Sequence, residues 1–251
     1  MRRKCAYREA WGDEALTPTA GDSVLVIAHR GGRGPERENS IAAIRRAATV
    51  GADMVECDVR ATGDARLILM HDRVVSGRPV ELTELDALTA GLGYRPDLLE
   101  EVVSALPPNL SLDVEIKEPG YEAAALEILA GLEPERLLIT SFESEVLREL
   151  RRISASVRLG LIVPAREPLS LALRRAADCR AEHLVLHHRR VKSRALAAAT
   201  AAGLTVFAWT VNSRHQLRRF LQEPRLSGVV TDAVELAVSL RRELAEASRH
   251  N

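Results

Sequence analysis

Short apolar runs alternate along this chain with longer amphipathic stretches. Five consecutive apolar residues at 24–28 read as a strand buried on both faces, and helical spacing follows at 40–50, closed by Gly51. Strand patterns recur at 54–59, 110–116, 136–140, 157–163, 183–186, 204–210 and 228–231. Between and after them lie helical patterns at 97–105, 121–132, 143–153, 169–179, 193–202, 214–221 and 234–247. Segment 66–70 reads as an extension or hairpin partner of the second strand. Strands that alternate with helices predict a parallel sheet. Eight such β–α units in about 230 residues predict an α/β fold closed as a (β/α)8 TIM barrel. The rival, an open doubly wound sheet, requires a Gly-rich phosphate loop running straight into a helix. Here the first strand runs into His29-Arg30-Gly31-Gly32-Arg33-Gly34 and then Pro35, so the barrel is preferred.

Composition narrows the class. With 251 residues, 46% of them hydrophobic, the chain can bury one sizeable core. Lys+Arg and Asp+Glu both number 35, which argues against a nucleic-acid arm, a polybasic membrane patch or an acidic tail. Cysteines 5, 57 and 179 are odd in number and far apart, so neither a disulfide framework nor a structural zinc site is expected. The N-terminus lacks the apolar run of a secretory signal, and no run is long enough to span a bilayer, so a cytoplasmic protein without stable membrane anchoring is expected. Residues 1–22 read as a polar N-terminal extension and 23–251 as the barrel domain. Lysine occurs only at 4, 117 and 192, so the other 32 basic residues are Arg and each Lys invites a question.

In a barrel enzyme the chemistry projects from the C-terminal ends of the strands. The first strand ends in His29 and Arg30, a titratable ring and a planar cation suited to phosphate oxygens. The second ends Glu56-Cys57-Asp58. Alternation puts both carboxylates on one face, about 7 Å apart along the strand and mutually repulsive without a cation, while Cys57 faces away into packing. Hard oxygen ligands of this kind suit Mg²⁺ or Ca²⁺. His71 ends the next extended segment, and two His residues flanking a metal suit acid/base cleavage of a phosphoester. In Asp113-Val114-Glu115-Ile116-Lys117, Glu115 completes a three-carboxylate set and Lys117 supplies a point charge for phosphate, with a plain Glu–Lys ion pair compatible with both. Asp113 lies deeper and reads as structural. Trp209 reads as core from the pattern, with an apolar substrate wall as the alternative.

The ordered set His29-Arg30-Gly31, Pro35…Glu38-Asn39-Ser40, Glu56-x-Asp58, His71-Asp72 and Glu115-Ile116-Lys117 resembles the glycerophosphodiester phosphodiesterases. The likeness continues through Ser141-Phe142, Trp209-Thr210-Val211-Asn212 and Thr231-Asp232. The resemblance implies a TIM barrel that hydrolyses small-molecule glycerophosphodiesters to sn-glycerol 3-phosphate and an alcohol with one divalent cation, Mg²⁺ or Ca²⁺. It implies Glu56, Asp58 and Glu115 as metal ligands, His29 and His71 as acid and base, Arg30 and Lys117 on the phosphate, Trp209 at the substrate pocket, and Glu38 and Asn39 as support. Two departures stand out. Two extra residues separate Pro35 from Glu38-Asn39, and the insertion after the second β–α unit is shortened, predicting a more open mouth. Two other functions fit a similar barrel: a lysophospholipase D or sphingomyelinase D type of phosphodiesterase, for whose acyl chain the insertion offers little apolar surface, and a non-catalytic phosphoester-binding barrel. The sequence leaves the oligomeric state open.

Overall fold

A computed structural model describes residues 24–249. The expected extension at 1–22 and Cys5 lie outside the described residues. Eight parallel strands close into a barrel: β1 (Leu25–His29), β2 (Met54–Ala61), β6 (Ser111–Ile116), β7 (Leu137–Ser141), β8 (Leu159–Val163), β9 (His183–His187), β10 (Thr205–Trp209) and β11 (Gly228–Thr231). Closure is made by β1, which pairs in parallel with both β2 and β11. Helices α1 (Ile41–Val50), α4 (Glu122–Leu129), α5 (Ser144–Ile153), α6 (Leu169–Cys179), α7 (Ser193–Ala201), α8 (Arg214–Phe220) and α9 (Val234–Arg249) surround the strands. The expected (β/α)8 barrel is the observed fold.

Alternation along the strands sorts two cores. Outward residues such as Val26, Val55, Cys57, Val114 and Leu161 pack under the helices in one large cluster. Inward residues Ile27, Met54, Leu138, Ile162, Val185, Phe207 and Val230 fill the lumen below the mouth, so the barrel is a packed core and not a pore. Cys57 therefore faces away from its two carboxylate neighbours, as its position predicts.

The departure from the pattern lies between β2 and β6. The expected partner of β2 is β3 (Leu67–Leu69), which pairs with it antiparallel. Beyond it come a small hairpin of β4 (Val74–Val75) and β5 (Arg78–Pro79), then α2 (Leu85–Leu92) and α3 (Leu99–Ala105). Neither the hairpin nor α2 was legible, because their apolar residues follow no barrel period. Val75, Val80, Leu85 and Leu88 instead join Ile68, Met70 and Leu98 in a separate small core. The insertion is short but not poor in apolar residues; it spends them on itself. Helix α3 starts at Leu99, two residues later than expected, because Asp97 is used elsewhere: its carboxylate accepts from the backbone of Ile41 at 3.0 Å and so caps α1.

The β1–α1 turn is set by close packing. Gly31 has φ +87°, and a Cβ there would meet the Cβ of Ala43 at 2.5 Å, so only glycine lets the turn lie on α1. Ser40 caps α1 by accepting from the amide of Ala43 at 3.1 Å.

Candidate active site

Strand register builds the site. His29 lies beside Glu56, Glu56 beside Asp113, and Asp58 beside Glu115 across the β1–β2–β6 ladder. All of these side chains point into the mouth, so one quadrant of the barrel collects the charge. Oxygens of Glu56, Asp58 and Glu115 lie within 4.8 Å of one another, and all three residues are buried. Burial, reinforced by the charges of Asp58 and Glu115, pushes the Glu56 carboxyl well above the usual range, and its Oε1 is buried without a hydrogen-bond partner. Burial also raises Glu115, against the pull of Lys117. Asp58 is buried as well, but Lys117 and Arg30 outweigh that cost and hold its carboxyl below the ordinary value. Three converging hard oxygen donors, one of them orphaned, fit a divalent cation.

Arg30 and Lys117, the expected phosphate binders, both pair with these carboxylates. Lys117 Nζ lies 2.8 Å from Asp58 and also pairs with Glu115. Arg30 Nε lies 2.9 Å from Asp58, and the Arg30 guanidinium reaches Glu38 at 3.2 Å. The Arg30 amide donates to Glu56 Oε2 at 3.0 Å. Glu38 is largely exposed and touches the site only through Arg30. Asn39 is closer: its Nδ2 donates to Asp58 Oδ2 at 2.8 Å, and its Oδ1 accepts from the Asp58 amide at 3.0 Å. Arg30 and Asn39 both sit in the left-handed region, at φ 53° and 51°. Such non-glycine strain costs on the order of 1–3 kcal/mol and is held only where contacts over-determine it, as they do here.

His29 Nδ1 lies 2.6 Å from Asp232, whose own position is fixed by Asn212 Nδ2 at 2.6 Å and by its amide donating to Asn212 Oδ1 at 2.9 Å. The hydrogen bond from His29 holds the Asp232 carboxyl below its ordinary value. An ionised carboxylate only accepts, so Nδ1 carries the proton and Nε2 is left free, 3.9 Å from Glu56. His71, which follows β3 beside β2, is partly exposed, with its Nδ1 2.9 Å from Asp72.

His29, Arg30, Glu56, His71, Glu115 and Lys117 line one cavity of about 220 Å³. Its other wall is apolar, formed by Phe142, Ile162, Val185, Trp209 and Val230. Trp209 is thus both packing and wall: its ring meets Phe142 edge-on at 5.3 Å, and its Nε1 is buried without a partner. Asp113, expected to lie deeper, also lines this cavity and takes a hydrogen bond from Thr140 at 2.8 Å; burial, with the nearby Glu56 charge, raises its carboxyl well above the usual range.

Sequence reasoning gave no role to Asp232, Asn212, Phe142 or Asp72. Asp232 carried a signal, a carboxylate directly after the last strand, beside the strand that ends in His29. Asn212 lies in a turn, where nothing in the spacing points to Asp232.

A sequence model of the Glycerophosphoryl diester phosphodiesterase family matches residues 29–236. A glycerophosphodiester phosphodiesterase of Caldanaerobacter subterraneus is 29% identical over 245 residues, covering 87% of this chain and 98% of the relative. A glycerophosphodiester phosphodiesterase of Thermotoga maritima has a solved structure with a TM-score of 0.76 and 25% identity, over 87% of this chain and 98% of that one. An Oleispira antarctica phosphodiesterase, solved with its product sn-glycerol-3-phosphate, superposes with a TM-score of 0.75 at 26% identity, over 87% and 96% of the two chains.

Proposed function

Since the chain belongs to the glycerophosphoryl diester phosphodiesterase family and is a phosphoric diester hydrolase, we propose that it cleaves small glycerophosphodiesters to sn-glycerol 3-phosphate and an alcohol, with a divalent cation, Mg²⁺ or Ca²⁺, held by Glu56, Asp58 and Glu115. The observation that carries this reading is the convergence of those three buried carboxylates beside a cavity lined by two imidazoles and two cations. When bound, the cation supplies charge neutralisation at the phosphoryl oxygens. Arg30 and Lys117 add to it, the first through a planar fork and the second as a point charge, and both orient the diester.

His29 and His71 divide the proton transfers. The nucleophile, water or a hydroxyl of the glycerol moiety, gives its proton to one imidazole, and the other protonates the departing alkoxide. Asp232, itself held by Asn212, keeps the His29 ring oriented with Nε2 toward the reacting atoms and stabilises its imidazolium. Trp209 and Phe142 hold the apolar parts of the substrate and exclude water from that side of the cavity. The free, buried thiols of Cys57 and Cys179 suit the reducing cytoplasm, where we place the enzyme.

The test is release of choline and glycerol 3-phosphate from glycerophosphocholine after EDTA treatment, then with Mg²⁺ or Ca²⁺ restored. Metal-dependent appearance of both products is expected. A strong preference for a lysolipid over glycerophosphocholine would transfer the reading to lysophospholipase D chemistry. Tight binding of the diester without turnover, metal present, would make the protein a binding barrel.

A further inference from the structure

Outside the lip of the cavity, between α6 and α7, lies a groove of about 510 Å³. Its floor is apolar, made by Leu169, Leu173, Ala195 and Ala198, and its rim is Arg189, Arg190, Lys192 and Arg194. Four cations fall in six positions of a chain whose net charge is zero, and one of them is a rare lysine. Elsewhere the arginines are mostly answered: Arg46, Arg136, Arg151, Arg175 and Arg225 each pair with a Glu. Among the described residues no carboxylate lies within ion-pair distance of any of the four rim cations. Helices α6 and α7 both begin at this groove without a side-chain cap, at Pro168 and Lys192, so their positive ends add to the same field.

The segment that bears the rim also packs on the cavity wall. His187, at the end of β9, packs edge-on against Trp209 at 5.4 Å, and the His188 ring lies 4.3 Å from His187. The Arg189 amide donates back to His187 Nδ1 at 3.3 Å. The segment that walls the site therefore turns directly into the cationic rim. The rim thus follows in sequence directly from the residue that packs on Trp209.

We propose that the groove is a subsite for an anionic substituent, a phosphate monoester or a carboxylate, on the leaving alcohol, and that it favours glycerophosphodiesters whose head group carries its own negative charge. The inference rests on the glycerophosphodiester hydrolysis proposed above.

The experiment compares glycerophosphoinositol 4-phosphate with glycerophosphoinositol, two substrates that differ by one phosphate. It is run on the wild-type enzyme and on the variant Arg189→Gln/Lys192→Gln/Arg194→Gln, whose three positions are all exposed. We expect kcat/KM for the phosphorylated diester to fall about 10-fold or more in the variant, through KM and with a strong salt dependence in the wild type, while the unphosphorylated diester is turned over as before. Equal ratios in the two proteins would overturn the inference. If neither diester is cleaved, the hydrolysis reading fails by itself. The groove is then judged by equilibrium binding of inositol 1,4-bisphosphate, which must be weaker in the variant for the inference to stand. Loss of binding to phosphatidylserine vesicles with an unchanged substrate ratio would also overturn it, in favour of a membrane-facing surface.

Discussion

The two walls of the barrel lumen obey the same alternation and reach opposite solutions. Toward the mouth, the inward positions on the β1–β2–β6 side are His29, Glu56, Asp58, Asp113 and Glu115, above Ile27 and Met54; on the β8–β11 side they include Ile162, Val185, Phe207 and Val230. The apolar wall is self-sufficient: its residues gain by leaving water, and each fills space its neighbour needs filled. Gly228, for instance, leaves room that the rings and methyls of Phe207 and Ile27 approach to 3.0 Å of a hypothetical Cβ. The charged wall is not self-sufficient. Burial drives Glu56, Asp113 and Glu115 toward the neutral form, and only where Lys117 and Arg30 converge, on Asp58, does counter-charge win. The apolar half carries one informative exception. His183 is buried and stacked on Phe207 at 5.3 Å, and desolvation lowers its pKa to about 3. Burial thus favours the neutral form on both walls, raising acids and lowering bases. Three of its carboxylates are held together at the cost of that burial, in an arrangement that could hold an added cation.

The sharpest way to break the contrast is Glu56→Gln. Turnover should fall about 10³-fold or more, as a charge-stabilising group is lost. The same change should raise the thermal midpoint of the metal-free protein, because it removes a buried carboxylate that its neighbours repel. A lower midpoint in EDTA would show that the charged wall is stable by itself. On the other wall, Phe207→Ala should cost about 3–5 kcal/mol in denaturant unfolding, through lost burial and the cavity left behind. Calorimetric metal affinity should stay near wild type in the surviving folded fraction.

Metal should stabilise only the charged side. At a free concentration of 100 times Kd it should add about 2.7 kcal/mol, and this increment should vanish in Glu56→Gln. The smallest effect belongs to His183. Its folded pKa, near 3, lies below the unfolded value near 6.5, so the unfolded chain binds the extra proton between those limits. This contribution is complete above pH 6.5 and is lost as pH falls; between pH 7 and pH 5 the loss should be about 2 kcal/mol. Subtracting the pH profile of His183→Gln from that of the wild type isolates it, and parallel profiles would show that the imidazole is not buried neutral.

Much of this contrast is legible in the order of residues. Alternation within Glu56-Cys57-Asp58 and Asp113-Val114-Glu115 separates inward acids from outward apolar residues, because the strand period leaves only two faces. The eight strands were readable for the same reason. What escaped has a common cause: it depends on contacts across the chain. Asp232 matters because β11 lies beside β1, and Asn212 because a turn brings it under Asp232. Asp97 caps a helix 56 positions earlier. The β4–β5 hairpin and α2 bury apolar residues against one another and β3, so neither barrel period applies to them.

The contact between His29 and Asp232 joins residues 203 positions apart. Synthesis proceeds from the N-terminus, so the three carboxylates and both imidazoles leave the ribosome long before the group that orients His29. A nascent or truncated chain lacking the last strand holds every expected ligand yet cannot fix that ring. The ring that the proposed mechanism needs is therefore fixed only at the closing of the barrel.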